Sequence, residues 1–174
     1  MTPERSALLA ELLEELLKFK RAGNNMPPAV FEASLPLFPQ LVIEFLVFRS
    51  TPSERKIEIL LVERPSNVAY PNQWHCPGTF VRPGDAMDRA FERARIGKLG
   101  GAIITQIEFL TNQLYVDPNR NDATILRMVY TVQIAEEDNP PKGKFFEIYP
   151  NNNLPAELVW EQPMLIDLFP IPNN

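Results

Sequence analysis

The side chains able to do acid–base, nucleophilic or ionic chemistry crowd into one stretch, WHCPGTFVRPGDAMDRAFERARIGKLGG, from Trp74 to Gly101. His75 and Cys76 open it. Asp85, Asp88 and Glu92 follow, and Arg82, Arg89, Arg93, Arg95 and Lys98 are spread through it as a local basic patch. His75 is the only histidine, so a multi-histidine metal site cannot be assembled, and a lone His beside Trp74 reads as structural. Cys76, before Pro77, reads as a small packed residue, since a nucleophilic thiolate needs an exposed, electropositive setting. Asp88 and Glu92 are four residues apart and share a helix face, where they either bind a cation weakly or stand in water. Lys98 sits near the end of the same helix, where positive charge is favourable.

The elements that must position these groups follow from local chemistry. A strand ends near Trp74, Pro77-Gly78 turns the chain, and a short strand leads to Pro83-Gly84-Asp85. Asp85 is the expected N-cap, its carboxylate accepting from the first orphan N–H groups of a helix. Ala86, Ala90, Arg93, Ala94 and Gly97 recur at helical spacing, and Gly100-Gly101 supplies a left-handed stop.

This strand–turn–helix segment resembles the Nudix box, the loop-helix-loop signature of hydrolases acting on nucleoside diphosphates linked to another moiety. Over residues 79–101 the box's opening Gly falls on Thr79, just after Pro77-Gly78. Its first Glu falls on Asp85, its Arg on Arg93 and its closing Gly on Gly100, while Ala90 and Leu99 match packing positions. The resemblance implies an α/β fold of Nudix type, a mixed sheet between helices, here with an extra N-terminal helix. It also implies a structural pairing of Asp85 with Arg93. The box glutamates are the departure. The Glu after the Arg falls on Ala94, and the Glu-Glu pair falls on Gly97 and Lys98. In the family those carboxylates share one helix face and converge on Mg²⁺, a hard cation that bridges to substrate phosphates.

A methyl, a hydrogen and an ammonium cannot build that cluster. No cofactor is expected at the box position, and Mg²⁺ only if a site is rebuilt elsewhere. Weak or no Mg²⁺-dependent hydrolysis is therefore expected. The other reading is a non-catalytic nucleotide-binding or protein-interaction module on the same fold. An ammonium at Lys98 can neutralise a diphosphate without a metal, and Arg93, Arg95, Arg82 and Asp85 complete the candidate ligand-binding set; the plainer reading keeps Lys98 as a surface lysine. Where the family commonly places substrate contacts, the chain has the loops 70–73, 117–122 and 136–143. There Glu136 and Glu137 are the candidate general bases, or a solvated turn; without a metal to acidify water a carboxylate alone is a weak hydrolytic device.

Length and composition set the frame. With 174 residues, one domain and one core are expected. A net charge of −5 argues against a nucleic-acid surface, and a single cysteine excludes an internal disulfide and fits a reducing, cytoplasmic setting. No secretory leader is apparent, and the apolar run Leu41–Phe48 is short and broken by Glu44, so no membrane span is expected.

Residues 1–24 form an expected amphipathic helix, starting at Thr2 with Pro3 in its first turn, running to Ala22 and stopping at Gly23. Leu8, Leu9, Leu12, Leu13, Leu16 and Leu17 make its ridge. That ridge either packs on the chain's own domain or forms a homodimer. Residues 25–40 read as a Pro-rich connector, and 41–174 as the Nudix-like domain. Within it Leu41–Phe48 and Ile57–Glu63 form a hairpin, and Ala102–Leu110, Leu114–Val116, Ile125–Ala135 and Phe145–Tyr149 are further strands. A final helix is expected over about 160–169. The resemblance covers roughly residues 38–170.

Overall fold

The computed structural model describes residues 2–21, 27–35, 37–51, 55–82, 84–120, 122–135, 140, 143–160 and 162–168. Leading the chain is α1 (Pro3–Arg21), begun by Thr2, whose hydroxyl and carbonyl accept from the Arg5 and Ser6 amides at 3.4 and 3.0 Å. A short helix, α2 (Pro28–Ser34), then lies within the stretch read as connector; its proline stands in the first turn, where a missing N–H costs nothing. Phe31 and Leu35 carry this segment onto Val42, Phe80, Ala123 and Ile125.

The sheet is mixed. Its strands are β1 (Gln40–Thr51), β2 (Lys56–Glu63), β3 (Trp74–His75), β4 (Gly78–Phe80), β5 (Ile104–Asp117), β6 (Ala123–Ile134) and β7 (Gly143–Tyr149). Among the described residues the order is β3-β2-β1-β6-β5, with β4 on β1 and β7 on β2. β1 and β6 run parallel, and the other pairs are antiparallel. This is the expected α/β arrangement.

Alternation along β1 separates the layers. Ile43, Phe45 and Val47 join Ala90, Ala94 and Leu99 of α3 (Met87–Leu99) on one face. Leu46 joins Leu165 and Ile166 of α4 (Gln162–Ile166) on the other. Leu60 of β2 faces α3, while Ile59 and Leu61 face α4.

Several local expectations change. Asp85 does not cap α3: the N-cap is Ala86, with no side-chain cap bond. The Asp85 carboxylate instead accepts from the Arg82 amide at 2.9 Å and pairs with Arg93 at 2.8 Å. A charged guanidinium partner is worth more to a carboxylate than one helix-end N–H. The two strands expected at 102–110 and 114–116 are one strand, because bulges after Ile104 and Phe109 absorb extra residues without ending the ladder. The final helix is shorter than expected, and residues 169–174 lie outside the described ones. At the end of α3 the glycine stop is as expected, with Gly100 at φ 65° and Gly101 at φ 85°.

Candidate ligand-binding cleft

The turn before α3 is set by a close approach. A Cβ on Gly78 would lie 2.8 Å from the Ile43 carbonyl oxygen, so only glycine lets β4 pair with β1 there. α3 is then tied down by Arg93, which pairs with Asp85 and donates to the Phe80 carbonyl at 2.8 Å. Arg95 is spent on Glu92, through 2.8 and 2.7 Å bonds, and on the Gly101 and Ala102 carbonyls.

Beside α3 opens a cavity of about 240 Å³. Lys98 lines it; Arg93, Arg95, Arg82 and Asp85 do not. Glu136 and Glu137 lie outside the described residues. The cavity lining carries both signs of charge: Lys98 from α3, Arg64 just after β2 and Arg120 from the turn after β5, together with Glu44 and Asp117. Val42, Phe80, Tyr115 and Ile125 add apolar and aromatic surface to the lining.

The floor holds charges buried between strands. Glu44 on β1 accepts from Arg127 of β6 at 3.0 Å and from Gln162 of α4 at 2.9 Å. Gln162 in turn accepts from the Cys76 amide at 2.8 Å, and Arg127 also donates to Gln113 at 2.6 Å. Arg127 is 2% exposed and Glu44 is 6% exposed. An opposite charge with shared hydrogen bonds is what makes such burial tolerable.

A second hub closes the side of the cleft. The Tyr70 hydroxyl donates to Asp117 and accepts from Asn119 at 3.2 Å and Trp160 at 3.0 Å. Burial, and then the Asp117 carboxylate, push the Tyr70 phenol up to about 12. These bonds hold the loop after β2, where Tyr70 and Asn72 take left-handed φ values of 57° and 59°. Asp117 also faces Arg120 at 3.5 Å, and the Arg120 guanidinium lies 5.4 Å from the Phe80 ring centre.

His75 sits among these cations as a lining residue of the cleft, not only as the structural His that its sequence position suggested. Burial first, then the charges of Arg64, Lys98 and Arg120, push its imidazole down to about 3. It is neutral at physiological pH.

A metal does not fit the box face. Ala94 is fully buried in the core, a side chain at Gly97 would meet open space, and Lys98 brings a positive charge. Among the described residues no group of three or more His, Cys, Asp or Glu side chains is placed to hold a metal ion. The carboxylates of the cleft, Glu44 and Asp117, are already engaged as described.

Sequence reasoning reached Lys98 and the loops bearing Tyr70, Asp117 and Arg120, but not Arg64 or the Glu44–Arg127 pair. A signal for that pair existed: Glu44 interrupts the apolar run Leu41–Phe48, and Arg127 is the one charge in the segment Ile125–Ala135.

Known structures identify the fold. NrtR of Shewanella oneidensis superposes with a TM-score of 0.59 at 18% identity, over 74% of this chain and 60% of its own; it has also been solved with a 27mer DNA. Its Nudix domain, complexed with ADP ribose, gives 0.57 at 19% identity over 82% of this chain and 96% of that one. A MutT/nudix family protein from Enterococcus faecalis gives 0.58 at 15% identity, over 90% and 67%. The chain has the Nudix fold. It spans about three fifths of the length of NrtR. No protein-family profile and no curated protein sequence matches it.

Proposed function

We propose that this Nudix-fold chain binds a phosphate-bearing small molecule of the nucleoside diphosphate type in the cleft beside α3, without a divalent cation and with weak or no Mg²⁺-dependent hydrolysis. The observation that carries the reading is that Arg64, Lys98 and Arg120, from separate parts of the chain, line one cavity. Three cations lining one cavity attract a diphosphate, and Phe80 and Tyr115 add aromatic surface for a planar ring. Arg64 and Arg120, rather than Arg95 or Arg82, are the partners that Lys98 has in this reading. The ADP ribose complex of the NrtR Nudix domain supports this ligand class, and the net charge of −5 favours a small molecule over a nucleic acid.

Titration calorimetry with ADP-ribose, once in EDTA and once in Mg²⁺, tests the reading. Binding of equal strength in both is expected. Binding that requires Mg²⁺, or none in either buffer, overturns it.

The same reading takes the chain to be a homodimer in the cytoplasm. Its supports are the leucines that α1 leaves exposed and the presence of a single, buried cysteine.

A further inference from the structure

We infer that the leucine ridge of α1 docks on an uncovered apolar strip of the β5–β6 face in a second copy of the chain, and that the exchange is reciprocal. This docking rests on the dimeric reading above and adds its two surfaces.

The strip follows from register. Ile107, Phe109, Leu114 and Val116 of β5 stand opposite Val132, Tyr130, Leu126 and Thr124 of β6. All four β6 partners are even-numbered and therefore share one face. The irregularity between Phe109 and Thr111 restores the same parity on β5. α3 covers only part of this face. Phe91 meets Tyr130 edge-on at 4.8 Å, and Ala90 and Ala94 share the core with Val132. Ile107, Phe109, Leu114, Val116 and Leu126 remain 38–69% exposed. β5 is also the last strand of the sheet order.

The other surface is on α1, where Leu8, Leu9, Leu12, Leu13 and Leu17 are 45–58% exposed. One copy of the chain therefore leaves two apolar surfaces in water, a hazard that a second copy removes.

Area selects the partner and the mode. Each surface is only five side chains, small against the roughly 800 Å² per partner of a standard interface, so a reciprocal exchange, which brings both surfaces of each protomer into contact, is the mode that approaches that size. Pairing α1 with α1 alone would use one surface of each protomer and leave the β5–β6 strip in water. A two-fold axis brings ridge to strip twice, as an interface between identical chains requires.

Light scattering on the full chain at micromolar concentration, with cysteine cross-linking, tests this docking. The unmodified chain is expected to be a dimer, and Leu12→Asp and Leu114→Asp each a folded monomer by circular dichroism, since both positions are largely exposed. Leu13→Cys chains mixed with Leu114→Cys chains should form a disulfide-linked heterodimer on oxidation. A dimer that survives Leu114→Asp, or efficient cross-linking of Leu13→Cys with itself, overturns the docking and leaves the dimeric reading standing. A monomeric mass for the unmodified chain overturns both.

Discussion

Acidification from pH 7.5 to pH 4.5 is expected to destabilise the protein through His75, by an amount that the structure allows to be worked out. In the unfolded chain the imidazole titrates near 6.5, while in the fold burial and the charges of Arg64, Lys98 and Arg120 hold it at about 3. Between those values the unfolded chain binds a proton that the folded one refuses. Stability from this group is thus complete above pH 6.5 and is lost as the pH falls toward 3. At about 1.4 kcal/mol per pH unit, the loss by pH 4.5 is roughly 2.5–3 kcal/mol. For a chain of this size that is a fall in Tm of about 5–10 °C. Carboxylates contribute to the same curve, so the assay is a difference: urea unfolding at both pH values for the wild type and for His75→Asn, which cannot titrate. The wild type should lose the extra 2.5–3 kcal/mol or so and the variant should not. Because His75 is the only histidine, its ring proton gives a single proton-NMR titration. Saturating pyrophosphate should raise that pKa by neutralising the three cations while leaving the burial effect in place. A ring that titrates at 6 or above in the free protein, or pH curves that run parallel in wild type and variant, would refute the reasoning.

Other outcomes follow from the same geometry. Lys98→Glu should abolish ADP-ribose binding in EDTA without creating a Mg²⁺ requirement, since it restores one of three box carboxylates and reverses a charge at the cleft; equal affinities by calorimetry would make Lys98 a helix-end surface lysine. Binding by the wild type should weaken as salt rises, because an ammonium–phosphate contact at a cleft is screened over about 8–10 Å; an affinity flat from low salt to 0.5 M, on the order of three times physiological ionic strength, would contradict an ionic site. Millimolar Mg²⁺ or Mn²⁺ should release no phosphate from ADP-ribose or nucleoside triphosphates above a heat-killed control, and robust turnover that vanishes on changing Glu136 or Glu137 would show a site rebuilt in that loop. Arg127→Met strands the buried Glu44 carboxylate and should cost about 3–5 kcal/mol, whereas Arg127→Met with Glu44→Leu should recover most of it; a single variant within 1 kcal/mol or so of wild type, measured by urea unfolding, would mean the pair carries little.

What the sequence determined by itself was whatever neighbours in the chain decide. Helical spacing puts Ala94, Gly97 and Lys98 on one face of α3, so that these three positions bring no carboxylate to that face is readable from three letters. Alternation and turn residues located most strands, and the Gly100-Gly101 stop needs only local backbone freedom. Asp85 marks the limit of local reading: its side chain suits a cap, but Arg93 and the Arg82 amide compete for the same carboxylate and win. The 28–34 helix was hidden by the Pro27-Pro28 pair at its start, because packing of Phe31 and Leu35 stabilises a segment with weak helical pattern. The cleft belongs to tertiary structure alone. Arg64, His75, Lys98 and Arg120 come from just after β2, from β3, from α3 and from the turn after β5, and no periodicity connects them. Glu44 and Arg127 each stand out in the sequence as the one charge in a run, Leu41–Phe48 and Ile125–Ala135, yet only the parallel pairing of β1 with β6 makes them partners. Local spacing fixes which face a side chain takes, whereas electrostatics at a site depends on distance through space, which the fold alone supplies.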